Sequence, residues 1–157
     1  MDFDDIYIEG TLTKQLDDTL AKAKTEHNAP IAVVKGLTGC GKSAITKSWL
    51  KHYNLENVYL TTTWLDENKP FDKETIEKIH NKNTIVVFDD YAYAKREVRS
   101  KVLDLVRFGN LCYGDGVYMT NVYPLMYVII ITIEPATIER LTDVELQLFG
   151  LEEYKNR

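Results

Sequence analysis

Gly36-Leu37-Thr38-Gly39-Cys40-Gly41-Lys42-Ser43 fits the spacing G-x-x-x-x-G-K-[ST] of a phosphate-binding loop, and this stretch decides the fold. A backbone that wraps a row of phosphates must turn its N–H groups inward. That asks for positive φ and a close approach that a Cβ would block, hence the glycines. Lys42 supplies a point charge for the β- and γ-phosphates and Ser43 a hydroxyl for Mg²⁺, while the helix that begins here adds its positive N-terminal end. The candidate nucleotide-binding set is therefore Gly36, Thr38, Gly39, Cys40, Gly41, Lys42, Ser43 and Ala44. The flanks agree: Pro30 to Lys35 reads as a short buried strand, and Ile45, Trp49 and Leu50 keep a helical spacing after the loop.

Outward from the loop the chain alternates between helix and strand. Thr11 to Thr25 reads as a helix with Leu12, Leu16, Leu20 and Ala23 on one face. Val58 to Thr63 is a β-branched run read as a second strand, and 66–72, with Pro70, as a loop. Lys73 to His80 predicts a short helix with Ile76 and Ile79 inward. Thr84 to Phe88 is apolar throughout, as a strand covered on both faces should be. Lys95 to Phe108 predicts a helix with Val98, Val102, Leu105 and Val106 on its core face, and Tyr127 to Ile133 a fourth main strand. Gly114-Asp115-Gly116 can turn a hairpin between 111–113 and 117–119. This order implies an α/β, three-layer P-loop NTPase sandwich: a mainly parallel sheet of four to five strands, with a β-hairpin inserted before the last main strand.

Asp89-Asp90 directly follows the apolar strand 84–88. In such sheets ligands bind at the carboxyl ends of the strands, so an acid here faces the phosphate loop. Mg²⁺ takes carboxylate oxygen while keeping much of its water, which suits Ser43 and Asp89 as the metal ligands. Asp90 is then placed to orient or deprotonate an attacking water. ATP with Mg²⁺ is the expected ligand.

Composition narrows the function class. The 157 residues suit one domain with a real core, and 45% hydrophobic with 27% charged residues is ordinary globular composition. A net charge of −5 argues against a protein whose whole surface coats nucleic acid or anionic membrane. The two cysteines and three histidines form no metal-binding pattern. Cys40 inside the loop would suit an oxidising compartment poorly, and the N-terminus is acidic rather than signal-like, so a cytoplasmic location (host cytoplasm for a viral chain) is expected. The longest nearly apolar stretch, 122–133, contains Pro124 and is too short to span a bilayer, so no membrane partner is expected.

From about residue 30 onward, and most closely over 84–149, the chain resembles an AAA+ ATPase core, nearest to the MoxR-like branch. The resemblance lies in Phe88-Asp89-Asp90, in Arg99 to Gly109, in the hairpin, in Ile131-Thr132-Ile133-Glu134-Pro135 and in Leu141 to Phe149. It implies a ring-forming ATPase that assembles with copies of itself or a partner subunit and remodels protein or moves nucleic acid. Thr132 and Glu134 fall where that family orients the attacking water. The departures matter too. Glu134 stands where the family has Asn, Leu148 where it has an arginine finger, and Asp90 where it has Glu. The sequence stops where a fifth strand and helical lid would begin. Arg140 is the best substitute finger, and slow or partner-dependent hydrolysis is expected, since a finger is worth roughly 10³–10⁵ in rate. The catalytic candidates are thus Lys42, Asp90, Thr132, Glu134 and Arg140.

The superfamily 3 helicases of small viruses and plasmids are a close variant of this resemblance, which Asn in place of Glu134 would have favoured. Helix 95–108 carries five basic residues (Lys95, Arg96, Arg99, Lys101, Arg107) against Glu97 and Asp104. With the hairpin, 95–120 is the candidate contact with a nucleic-acid backbone, weighed against an ordinary solvated face. Tyr91, Tyr93, Tyr113, Tyr118 and Tyr123 are divided between base stacking and core or subunit packing. Two other classes stay open. A small nucleotide or nucleoside kinase would need an arginine-rich lid, whereas Arg96, Arg99 and Arg107 lie on what reads as a core-packed helix. A switch module would bind ATP without hydrolysing it.

Overall fold

The computed structural model describes residues 11–25, 30–36, 42–61, 73–79, 84–108, 110–113, 118–121 and 128–154. The elements run α1 (Thr11–Ala23), β1 (Ile31–Lys35), α2 (Lys42–His52), β2 (Asn57–Leu60), α3 (Lys73–Ile79), β3 (Ile85–Phe88), α4 (Arg96–Phe108), β4 (Asn110–Tyr113), β5 (Tyr118–Asn121), β6 (Val128–Ile133) and α5 (Asp143–Leu148). Short 3₁₀ turns at Tyr91–Tyr93, Pro135–Arg140 and Glu152–Tyr154 connect or close them.

Four strands form a parallel sheet in the order β1-β6-β3-β2, and β4 pairs antiparallel with β5 as the expected hairpin. Because β6 is inserted between β1 and β3, it reaches the gap between the loop-bearing strand and the acid-bearing strand. Registers Val34↔Thr132 and Phe88↔Ile131 bring Thr132 level with Asp89, one residue beyond β3.

Period-2 alternation sends each strand's residues to two separate cores. Ala32, Val34, Ile85, Val87, Val128 and Ile130 meet Leu16, Trp49 and Leu50 of α1 and α2. Val86, Phe88, Ile129, Ile131 and Ile133 meet Ile79, Val102, Leu105 and Leu146 of α3, α4 and α5. These are the three layers of an α/β sandwich. All six residues of β6 and all four of β3 are buried, which is why both read as unbroken apolar runs.

The boundaries differ from expectation in local ways. α1 ends at Ala23 rather than Thr25, where Lys24 and Thr25 make turn bonds to Ala21 and Lys22 and the Thr25 hydroxyl caps the Lys22 carbonyl at 3.1 Å. β2 stops at Leu60, whose carbonyl accepts from Asp89 N at 2.8 Å as β3 turns away; Thr61 has left the ladder. The expected residues 62–63, 66–72, His80, 114–117 and Tyr127 lie outside the described residues, as does the side chain of Ile76. Among the described residues no helix is long and apolar enough to cross a membrane.

Candidate nucleotide-binding site

At the carboxyl end of the sheet three side chains converge. Ser43, on the first turn of α2, donates from Oγ to Asp89 Oδ1 at 2.9 Å and lies 3.1 Å from Oδ2. Thr132, on β6 and fully buried, donates from Oγ1 to Asp89 Oδ1 at 2.6 Å. The same Thr132 oxygen accepts from Asp90 N at 2.8 Å. One hydroxyl therefore passes a hydrogen bond from the backbone of Asp90 to the carboxylate of Asp89. A buried carboxylate demands such donors, and Asp89 is only 8% exposed.

The half-buried Asp90 holds φ +52° and ψ +46°, the left-handed region that Asp tolerates better than most residues. It starts the 3₁₀ turn Tyr91–Tyr93, and its carbonyl accepts from Tyr93 N at 3.0 Å. Tyr93 in turn donates its hydroxyl to Glu134 Oε2 at 2.6 Å. That hydrogen bond raises the Tyr93 phenol above its ordinary value, with Glu134 and Asp90 adding to the rise and Arg140 opposing it. Tyr93 and Glu134 thus form a second polar pair, with Asp90 and Arg140 close enough for their charges to act on it.

Of the phosphate-loop candidates, Gly36 is anchored through its N–H to Ile133 O at 3.1 Å, and Lys42, Ser43 and Ala44 open α2. Thr38, Gly39, Cys40, Gly41 and the side chain of Lys42 lie outside the described residues. Ser43 and Asp89 together present hydroxyl and carboxylate oxygens, a donor set that fits Mg²⁺ with a retained water shell. Arg140 is exposed at the end of its 3₁₀ turn.

One reading needs correction and one open alternative is resolved. Arg99 is not part of a basic outer face. It is 5% exposed, 3.3 Å from Glu145 Oε2 through Nε, and donates from Nη1 to Ala94 O and from Nη2 to Arg140 O. The Nε contact is an ion pair without hydrogen-bond geometry. Tyr91 is likewise no stacking platform: it is fully buried, edge-on to Phe149, and donates to Glu145 Oε2. Burial first, then Glu145, pushes its phenol far up. The side chains of Tyr113, Tyr118 and Tyr123 lie outside the description.

The sequence reading missed Glu145, although Thr142-x-x-Glu145 is a capping-box signature and the box is made at the start of α5. It also missed Tyr59. That hydroxyl is buried beside Ser43 and Asp89, and burial first, then the Asp89 charge, raises its phenol strongly. Period-2 alternation from Val58 would have put Tyr59 on the α2 face.

Sheet order, loop anchor and hydroxyl-buttressed acid together define a P-loop NTPase. The sequence model of the viral superfamily 1 RNA helicase core domain matches residues 32–115, more than half of the chain, and the protein belongs to that family. No curated protein matches it. Among solved structures, NtrX from Brucella abortus in complex with ATP aligns with a TM-score of 0.59 at 14% identity, covering 92% of this chain and 36% of that one. A point mutant of RuvB from Thermotoga maritima aligns with a TM-score of 0.56 at 10% identity, covering 90% and 44%. At these identities the likeness is one of fold. The chain spans less than half the length of either.

Proposed function

We propose that this chain binds Mg²⁺–ATP and hydrolyses it as an AAA+-type core, working with further copies or a partner subunit to move along or remodel a nucleic acid, RNA before DNA. The observation that carries the reading is the Asp89 carboxylate held between the hydroxyls of Ser43 and Thr132 at the carboxyl end of the sheet. The ATP complex of NtrX, similar in fold, supports the nucleotide, and the superfamily 1 RNA helicase family of residues 32–115 supports RNA as the partner; the AAA+-type assembly is carried by the sequence motifs. The narrower MoxR-like and superfamily 3 likenesses rest on the sequence motifs from about residue 30 onward, most closely those of 84–149.

In this reading backbone N–H groups of residues 39–43 and the Lys42 ammonium hold the β- and γ-phosphates, and Ser43 with Asp89 holds the cation. Bound Mg²⁺ would neutralise charge on the phosphate oxygens. Asp90 orients a water in line with the γ-phosphorus and accepts its proton. Thr132 fixes the Asp90 backbone and the Asp89 carboxylate at once, so both acids keep one spacing. Glu134, steadied by Tyr93, flanks the water, and Arg140 or a neighbouring subunit's arginine meets the charge that develops. A kinase ranks lower, because Arg99, one of three arginines available to a lid, is locked into the core.

The test is phosphate release from Mg²⁺–ATP, alone and with single-stranded RNA, single-stranded DNA or duplex, with Asp90→Asn as control. Turnover that depends on Asp90 and rises with RNA is the expected result. Tight ATP binding without turnover in every mixture would favour the nucleotide-switch reading instead.

A further inference from the structure

Residues 27–55 hold four lysines and no acid, in a chain with 24 acids against 19 lysines and arginines. Lys35 pairs with Glu153, and Lys42 belongs to the phosphate loop. The other two, Lys47 and Lys51, are exposed and stand one turn apart on α2, a helix without an acidic residue. Both line a groove of about 540 Å³ between α2 and β2, the last strand in the sheet order. That volume falls within the roughly 300–1,000 Å³ of ligand sites. Leu50, Leu55 and the Tyr59 ring form its apolar part, the amides of Asn54 and Asn57 its polar part, and no lining residue is acidic. The Lys47 ammonium lies 4.9 Å from the centre of the Tyr59 ring and pairs with no acid among the described residues.

A concave, acid-free surface on a protein of net charge −5 focuses a local positive field that the molecule as a whole lacks. Ammoniums four helical residues apart are separated by about 6 Å along the axis, a spacing that suits successive phosphates of a single strand. Ring and leucines offer a base or ribose an apolar face, and amides give and take hydrogen bonds at base edges. We infer that the α2–β2 groove is a contact site for single-stranded RNA, with Lys47 and Lys51 on neighbouring phosphates. An acidic peptide would use the lysines but leave the amides and the ring without a role. The inference rests on RNA as the partner in the function proposed above, and it deepens that reading by placing the strand. Because α2 carries Ser43 in its first turn, a strand held here is held by the helix that begins at the nucleotide site.

The test measures anisotropy of a labelled uridine oligonucleotide over a KCl series, for wild type and Lys47→Gln/Lys51→Gln. A second pair, Lys14→Gln/Lys78→Gln, removes the same charge from exposed sites elsewhere. Each phosphate contact on a single strand adds about 0.7 to the slope of log affinity against log salt. The groove variant should therefore bind on the order of 10-fold more weakly at low salt, with a slope shallower by about 1.4. Its melting temperature and RNA-free ATP turnover should match wild type, and Lys47→Arg/Lys51→Arg should bind as wild type does. Equal weakening in the groove and control pairs, or wild-type binding by the groove variant, would overturn the inference and leave RNA as the partner. Oligoglutamate bound as tightly as RNA, and lost in the same variant, would reassign the groove to an acidic peptide and overturn it too. If wild type binds no RNA, the RNA reading falls and the inference falls with it.

Discussion

Two buried polar clusters flank the same sheet and are built from different materials. At the carboxyl end Asp89 is held by the hydroxyls of Ser43 and Thr132. Behind the 3₁₀ turn that follows, Glu145 is held by the Arg99 guanidinium, the Tyr91 phenol and its own capping box. Hydroxyls rotate and give or take a hydrogen, so the first cluster can trade partners with an incoming ligand at small cost. A buried guanidinium–carboxylate pair cannot, because removing either member strands a charge. Exchangeable partners suit a site; self-neutralising partners suit a joint that ties α4, α5 and the turn after Asp90 together.

The largest test of that contrast is Arg99→Met. It should destabilise the fold by about 3–5 kcal/mol, read by urea unfolding. Adding Glu145→Leu should restore much of this, less about 1 kcal/mol for the lost helix cap. If the single variant is as stable as wild type, the joint is not structural. Next, Asp89→Asn should reduce ATP turnover by about 100-fold or more. It should change unliganded stability by less than about 1 kcal/mol, since an amide oxygen still accepts from both hydroxyls. A stability loss as large as that of Arg99→Met would erase the distinction between the clusters.

Thr132→Val sharpens the comparison within the site. It orphans Asp90 N and removes a donor from Asp89, a loss of about 1–3 kcal/mol in thermal or denaturant unfolding. Thr132→Ser should recover most of it. The smallest effect concerns alkaline pH. Tyr91 keeps its proton in the fold above its unfolded value of 10.0, so it contributes stability that is present below pH 10 and declines as pH rises beyond it. Unfolding midpoints between about pH 9 and 11 should fall less steeply for Tyr91→Phe. Parallel slopes would mean that another group governs the alkaline side.

How much of this was legible depends on the range of each signal. The phosphate loop, the acid after an apolar strand and the wholly buried β3 and β6 are written locally, in adjacent residues. The helical spacing of α4 was legible too, and so was the hairpin, from its glycines. Arg99 was not: on a helix with four basic residues it reads as one more solvated cation, and its partner Glu145 is far along the chain. Tyr59 was hidden in a β-branched run, where only the face of the strand, and not the aim of the hydroxyl, follows from periodicity. The hydroxyl relay at Thr132 needed the register of β6 against β3, which is set by tertiary packing.

The left-handed backbone at Asp90 has a consequence for how this position can drift. A residue at φ +52° is chosen by its main chain before its charge is considered. Asparagine and glycine enter that conformation readily, whereas a longer acid carries a strain there that its carboxylate does not repay. Among variants selected for folding alone, position 90 should therefore fill with Asn and Gly ahead of Glu. The neutral replacement is thus the conformationally quiet one, and the chemically conservative replacement is the one that disturbs the turn.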